Sequence, residues 1–313
     1  SLTPRMAETA KGLWVVYGVV TVLCILSLRW AGMSWFDAVM HSFTTMGLGG
    51  FSSHDASFGH WDSPLIEGIT VVFMLIAGMN FATLFLAVRG RSLQPYLLDP
   101  EARYFIGVTL ASVFGIALYL HWQETYPAFL TALRHSLFNV VSIATTTGFA
   151  SVDYNLWPMF APLWMLFLCS FATSAGSTGG GIKMMRAIIL YKQVYRELLR
   201  AMHPNAIWPI RVGGGQVEQN ILTAVLAFGF AYMCFLVALT LLMVFSGLDI
   251  LTAFSAVVAT VNNTGPGLNQ VGPSTTFEVL TDFQTWVCSF AMLLGRLEIF
   301  TLLVVLTPAF WRR

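Results

Sequence analysis

Residues 44–50 are Thr44-Thr45-Met46-Gly47-Leu48-Gly49-Gly50, and two related stretches follow, Ala144-Thr145-Thr146-Thr147-Gly148-Phe149-Ala150 and Asn262-Asn263-Thr264-Gly265-Pro266-Gly267. Each stretch ends an apolar segment that is too short to cross a bilayer, at 33–46, 127–146 and 249–262. A longer apolar stretch follows each of them. We therefore predict an internal repeat, in which a span, a re-entrant helix, a polar glycine loop and a second span occur three times.

The composition indicates a membrane protein. Of the 313 residues, 57% are hydrophobic and 10% are charged, whereas a soluble domain usually carries about 25% charged residues. These values disfavour a soluble enzyme and a disordered protein, and the net charge of +1 rules out a basic nucleic-acid binder. Six apolar stretches approach the length of a span, at 12–30, 64–88, 103–121, 158–175, 219–246 and 278–307. The predicted fold class is an all-α polytopic membrane protein.

The repeat divides the chain into three predicted units, at 1–90, 91–205 and 206–313. Each unit holds one short apolar segment between two longer ones. The second long segment of the middle unit is interrupted by a glycine-rich stretch at 173–183.

Charge asymmetry predicts the orientation in the membrane. Of the 16 Lys and Arg residues, 13 fall on the side opposite the glycine loops, which we assign to the cytoplasm: Arg5, Lys11, Arg89, Arg91, Arg103, Lys183, Arg186, Lys192, Arg196, Arg200, Arg211, Arg312 and Arg313. Acidic residues dominate the other side, namely Asp37, Asp55, Asp62, Glu67, Glu124, Asp153 and Asp249. An acidic outer mouth would raise the local cation concentration. Alternatively, these residues merely mark an external face.

The three glycine loops predict an ion-binding site. Irregular backbone at membrane depth must line a watery cavity or be packed in protein. In a pore, carbonyl oxygens replace the hydration shell of an ion, and Thr hydroxyls add further oxygen ligands that suit a monovalent alkali cation. The candidate filter residues, which would bind K⁺, are Thr45, Met46, Gly47, Leu48, Thr146, Thr147, Gly148, Phe149, Asn263, Thr264, Gly265 and Pro266. The alternative is that the loops are simply glycine-rich turns between spans.

The glycine-rich stretch at 173–183 is a second candidate site. Phosphate-binding loops require a Gly-Lys-Ser or Gly-Lys-Thr ending, but here Ile182 separates Gly181 from Lys183 and Met184 follows. Three consecutive glycines break a helix, and a break at membrane depth must be packed or line a cavity. We predict an intramembrane gate, with a passive kink as the alternative. Its residues are Gly176, Gly179, Gly180, Gly181 and Lys183.

Arg296 is predicted to act with this gate. It lies inside the last apolar stretch, where an ionisable residue is by default a functional-site hypothesis. Below a filter its positive charge would repel cations, and its guanidinium could donate hydrogen bonds to carbonyls near Gly179. The alternatives are pairing with Glu298 or extension toward the cytoplasm.

The external loop offers a hypothesis from another class. His41, His54, Asp55, His60 and Asp62 together resemble a loose metal set, and the hydrolase hypothesis rests on His54, His60 and Asp62. A membrane-embedded hydrolase could use them, although their spacing is not that of a helical metal site.

The motifs together resemble the Trk/Ktr/HKT superfamily of potassium transporters, and most closely its bacterial TrkH branch. The resemblance extends over essentially the whole chain, and the segments that carry it are 44–52, 79–82, 144–149, 175–183, 263–268 and 295–298. The resemblance implies M1–pore helix–M2 units around a pseudo-fourfold pore, with Gly47, Gly148 and Gly265 as the filter glycines. Glycine at all three positions resembles the pattern of potassium-selective members.

The resemblance also implies a biological setting. We expect a multi-pass protein of the bacterial cytoplasmic membrane, in contact with lipid, that takes up potassium as its substrate. We expect no cofactor and no enzymatic activity. Family members form homodimers and bind a cytosolic nucleotide-binding regulatory protein of the TrkA/KtrA type, and the basic stretch at 192–211 is where we place that contact.

One departure from the family is evident. The family builds its filter from four units, whereas this sequence holds three, which by their order match the second, third and fourth. We therefore expect that the chain is a piece of a longer protein and that transport belongs to the complete one. The alternative function is a non-conducting structural or regulatory membrane subunit with the same fold.

Overall fold

The computed structural model describes residues 2–297 and 299–311, so Ser1, Glu298, Arg312 and Arg313 lie outside the described residues. Its helices are α1 (Leu2–Trp30), α2 (Trp35–Met46), α3 (Pro64–Gly78), α4 (Phe81–Gly90), α5 (Gln94–Leu98), α6 (Pro100–Trp122), α7 (Phe129–Ala144), α8 (Phe160–Cys169), α9 (Met184–Met202), α10 (Gln219–Phe245), α11 (Ile250–Val261), α12 (Asp282–Arg296), α13 (Ile299–Leu306) and α14 (Pro308–Trp311). Two short strands, β1 (Arg211–Val212) and β2 (Gly215–Gln216), form an antiparallel hairpin.

The predicted all-α membrane fold is confirmed. Among the described residues, three helices are long and apolar enough to cross a bilayer, at Ala10–Trp30 within α1, at α6 and at α10. The three short apolar segments form α2, α7 and α11. Helices α2 and α11 each lie between two longer apolar helices, whereas α7 follows the longer α6 and precedes the shorter α8.

Side-chain caps fix where two of the short helices begin. The hydroxyl of Ser34 accepts a hydrogen bond from the backbone N–H of Asp37, 3.1 Å away, before α2. The carboxylate of Asp249 accepts one from the N–H of Thr252 at 3.0 Å before α11. Hydrogen bonding from Thr252 lowers the pKa of Asp249, so this carboxylate is charged at neutral pH, as suits a helix N-terminus.

Three of the predicted spans are not continuous helices. The stretch 64–88 forms α3 and α4, which meet at an angle of 102°. The stretch 278–307 contains α12 and α13, which meet at 109°. The stretch 158–175 is helical only in α8, which ends at Cys169.

The bend between α3 and α4 has a local cause. Met79 is extended, with φ −89° and ψ 165°, and ends α3. The side-chain oxygen of Asn80 then accepts a hydrogen bond from the N–H of Ala82 at 2.8 Å, which starts α4 as a new helix. Hydropathy cannot show this break, because both helices are apolar.

The core is centred on α7, which packs against α3, α6 and α8. From Phe138 to Ala144 every residue of α7 is buried, polar side chains included. Helix α9 differs, because most of its residues are at least partly exposed and its exposed face mixes apolar and basic side chains.

Some of the acidic residues predicted to line an outer mouth are engaged elsewhere. The Arg134 guanidinium donates to both carboxylate oxygens of Glu67, at 2.7 and 3.0 Å, and to Asp62 at 2.7 Å. Glu67 is buried and therefore does not face an outer mouth. This contact joins α3 of the first predicted unit to α7 of the second.

We expect Arg134→Ala to lower the melting temperature of the purified protein. The change leaves the Glu67 carboxylate buried without its cation, which costs about 3 kcal/mol when a buried ion pair loses one partner. Replacing both residues together, Arg134→Met with Glu67→Leu, removes the unpaired charge and should recover most of the loss. Equal melting temperatures for Arg134→Ala and the wild type would show that the pair contributes nothing.

Candidate functional site

The three glycine loops have one backbone conformation. After α2, α7 and α11 the same turn closes with a 2.8 Å hydrogen bond, from Gly49 N to Thr44 O, from Thr147 N to Ser142 O and from Thr264 N to Ala259 O. The residue before each donor has a positive φ, at Leu48 (49°), Thr146 (59°) and Asn263 (54°). The residue after each donor is a glycine with positive φ, at Gly50 (67°), Gly148 (90°) and Gly265 (102°). The predicted repeat is therefore present at the level of backbone angles.

This geometry corrects the register predicted for the first loop. Gly50, not Gly47, is the counterpart of Gly148 and Gly265. Gly47 has φ −80° and ends α2, as Thr145 ends α7 and Asn262 ends α11. The predicted set Thr45, Met46, Gly47 and Leu48 is thus three residues early, and the equivalent segment is 48–51. The predicted register aligns the two loops by their Thr-Thr pairs. However, Thr44-Thr45 lies before the end of α2, whereas Thr145-Thr146 lies after the end of α7.

Two of the three loop glycines allow the next loop to approach. A Cβ on Gly50 would overlap the carbonyl oxygen of Thr147, and a Cβ on Gly148 would overlap that of Thr264. A Cβ on Gly265 would meet no described heavy atom within 4 Å. The three loops therefore follow one another around an arc, which is open on the side of Gly265.

Several predicted ligand groups are already engaged within the protein. The carbonyl of Phe149 accepts a 2.6 Å hydrogen bond from Ser142, and its ring packs against Phe58 with a centroid distance of 4.6 Å. The hydroxyl of Thr147 lies 2.7 Å from that of Thr145. These two residues thus shape the loop. Pro266 is half-buried beside Gly148, and the Thr264 hydroxyl is buried without a partner in the described part of the chain.

The interrupted segment at 170–183 forms an ordered loop and not a kink in a continuous helix. It folds on itself through bonds from Ile182 N to Ser170 O (2.6 Å), Met184 N to Thr173 O (2.7 Å), and Thr173 Oγ1 to Gly180 O (2.7 Å). Gly176 and Gly181 have positive φ, as does Lys183, whose ammonium donates to Gly179 O at 2.9 Å. We call residues 170–183 the gating loop, after the role predicted for this stretch from the sequence.

The gating loop contacts the ends of all three short helices. The Thr178 hydroxyl donates to the carbonyl of Met46 at 3.2 Å, and the N–H of Gly180 donates to the Thr146 hydroxyl at 3.1 Å. A Cβ on Gly180 would overlap the carbonyl of Asn262. The loop therefore lies where the three filter segments meet their helices.

Arg296 contacts the gating loop from the end of α12. Its Nη1 donates to the carbonyl of Thr178 at 2.9 Å, so the predicted bond to a carbonyl of the broken segment is present. Together with Gly179, Tyr232 and Ile299 it lines a cavity of about 210 Å³ beside the loop. It lies at a helix end and not inside a continuous span, because α12 stops there.

Sequence analysis missed one residue of this site, Glu101. Its Oε1 accepts hydrogen bonds from the N–H groups of Ala175 (2.6 Å) and Met185 (3.0 Å), on either side of the glycine cluster. The sequence does show an acidic residue at the start of the apolar stretch 103–121, but the charge pattern alone gives it no partner.

The three residues of the hydrolase hypothesis do not come together in one site. The rings of His54 and His60 stack 3.7 Å apart, and His54 lies 3.2 Å from Asp37. Asp62 is instead bound to Arg134. Over residues 2–297 and 299–311 no three His, Cys, Asp or Glu side chains are arranged to hold a metal ion.

Comparison with known proteins gives a consistent result. The family model described as TrkH, cation transport protein, matches residues 1–313. The Trk system potassium uptake protein TrkH of Salmonella typhimurium is 46% identical over 311 residues, which cover 99% of this chain and 64% of that protein. The protein of the same name from Escherichia coli K12 is 45% identical with the same coverage. The chain thus spans somewhat less than two thirds of the length of these relatives.

A solved structure is similar as well. The crystal structure of the potassium transporter TrkH from Vibrio parahaemolyticus matches with a TM-score of 0.94 and 45% identity. The match covers 99% of this chain and 66% of that one.

We expect Gly180→Ala to displace the gating loop. The added methyl group would overlap the backbone carbonyl of Asn262, which is fixed at the end of α11. Protease cleavage within 170–183 should become faster and the melting temperature should fall. Gly115→Ala is a matched control, since a Cβ there meets nothing within 4 Å and alanine favours a helix interior by about 1 kcal/mol. Identical cleavage of both variants would refute close packing at Gly180.

Proposed function

The chain belongs to the TrkH family of cation transport proteins, and from that premise we propose that it forms part of a potassium uptake protein of the bacterial cytoplasmic membrane. The chain covers 64% of its relatives, so the activity is proposed for the full-length protein. The observation that carries the proposal is the packing of Gly50 and Gly148 against the carbonyls of the next loop. Such packing places several backbone oxygens on one arc without a carboxylate among them.

We propose that the units 1–90, 91–205 and 206–313 each contribute one filter segment, at 48–51, 146–149 and 263–266. Carbonyl oxygens of these segments would replace the water around a potassium ion. The open side of the arc at Gly265 is where a fourth segment would complete the ring. A non-conducting subunit is the second candidate, and the open arc is the observation that favours it.

The gating loop is proposed to obstruct the path below the filter. It contacts the helix ends at Met46, Thr146 and Asn262, so an ion leaving the filter would meet it first. Arg296, bonded to the carbonyl of Thr178, adds a positive charge beside this point. Transport would then require the loop to move.

The absence of enzymatic activity and the binding partners are also proposed. The relatives are transporters and not enzymes by name, and we propose that this chain likewise has no enzymatic activity and no cofactor. We propose a homodimer and a cytosolic nucleotide-binding regulator of the TrkA/KtrA type that contacts residues 192–211. Exposed basic side chains in this stretch support the contact, and α9 leads from it directly to the gating loop.

We expect Gly50→Ser in the full-length protein to weaken discrimination of potassium against sodium. The side chain would displace the carbonyl of Thr147, whereas Gly47→Ser, at a helix end with φ −80°, should leave selectivity nearly unchanged. The measurement is uptake of labelled rubidium into proteoliposomes with sodium or potassium as competitor. Loss of selectivity in Gly47→Ser with none in Gly50→Ser would restore the register predicted from the sequence. Absence of any uptake by the wild type would refute the transport proposal.

A further inference from the structure

We infer that Glu101 is a positioning residue that holds the gating loop in the arrangement seen here, by binding both ends of its glycine segment with one carboxylate oxygen. The inference deepens the proposed function, on which it rests for its effect on transport. Its structural part, the position of the loop, can be tested without transport.

The contacts of Glu101 bring together parts of the chain that are distant in sequence. Its Oε1 lies 2.6 Å from the N of Ala175 and 3.0 Å from the N of Met185. Ala175 precedes the first glycine of the loop, and Met185 is the second residue of α9. A single oxygen therefore fixes the distance between the two ends of the segment that carries Gly176 to Gly181.

The carboxylate is placed at the start of two helices. Glu101 is the second residue of α6 and is only 2% exposed, and the N–H of Met185 belongs to the first turn of α9. Helix N-termini present unpaired N–H groups and a partial positive charge, which stabilise an anion. Hydrogen bonds from N–H groups to a carboxylate are stronger than those to a neutral acceptor.

Neighbouring residues fix the start of α6 in turn. The Asp99 carboxylate accepts from the N–H of Glu101 at 2.9 Å and from the Thr83 hydroxyl of α4 at 3.0 Å. Helix α4 itself begins at Phe81, whose N–H donates to the carbonyl of Gly176 at 3.4 Å. Helices α4 and α6 thus support the gating loop from the same side, and Glu101 supplies the charged contact.

Loss of the carboxylate should favour movement of the loop. The N–H groups of Ala175 and Met185 would lose their acceptor in a partly buried site, and an unsatisfied buried donor is unfavourable. Moving the loop toward water would restore partners to both groups. The arrangement seen here would therefore be less populated in Glu101→Ala than in the wild type.

The test uses the full-length protein with a cysteine reporter in the loop. Cys234, which is exposed, is replaced by Ser, and Ser177→Cys provides a small thiol at a half-buried loop position. The rate of modification by a charged methanethiosulfonate reagent is measured in Glu101→Ala, Glu101→Gln and Glu218→Ala. Glu218 is the matched control, because it is an exposed carboxylate that precedes α10 and makes no capping bond.

We expect the modification rate to rise about tenfold in Glu101→Ala, the effect of losing a charge-assisted hydrogen bond. Glu101→Gln keeps an acceptor oxygen and should show a smaller increase, and Glu218→Ala should match the parent. Rubidium uptake without added regulator should rise in the same order. Equal modification rates in all variants would overturn the inference. If the parent does not transport, the rates still decide the role of Glu101, and only the proposed function fails.

Discussion

Backbone polar groups at membrane depth must be bonded inside the protein or line a watery cavity, and the three glycine loops form hydrogen bonds to their own helices and to the gating loop. Each loop ends a short helix, where carbonyl groups lack partners within the helix. Some of these carbonyls are satisfied by N–H groups of the loop itself, as in the 2.8 Å bonds at Gly49, Thr147 and Thr264. The burial of α7 keeps the second loop inside the protein, whereas Gly49 and Gly265 of the other two loops are exposed.

Much of this arrangement could be predicted from the sequence, because it depends on local composition. Short apolar segments alternate with long ones, and polar glycine-rich stretches follow them, so the helix order and the three loops follow from hydropathy. The break at the consecutive glycines 179–181 is also a local property, since glycine is poor in helices. The hydrogen bond of Arg296 to the broken segment could be predicted because a cation within an apolar stretch needs nearby acceptors.

The register of the first loop and the bends of the spans depend on distant contacts and could not be predicted in the same way. The first stretch contains Gly47, Gly49 and Gly50, and the sequence predicts the filter glycine at the first of them. The structure instead places Leu48 and Gly50 in that region, where Gly50 meets the carbonyl of Thr147. The bend at Asn80 likewise brings α4 against the carbonyl of Gly176, which lies in another predicted unit.

Hydrogen bonds join the proposed filter segments to the gating loop, so neither can move without affecting the other. The Thr146 hydroxyl accepts from the N–H of Gly180, and the Asn262 side chain donates to the Ser170 hydroxyl at 3.3 Å. Thr146 directly precedes Thr147, and Asn262 lies two residues before Thr264. The carbonyls of Thr147 and Thr264 are the ones that pack against Gly50 and Gly148. Displacement of the gating loop would therefore remove partners from residues that hold the filter in place. Under the proposed function, a change that opens the path below the filter would therefore also loosen the filter itself, and this shared bonding would link gating to selectivity.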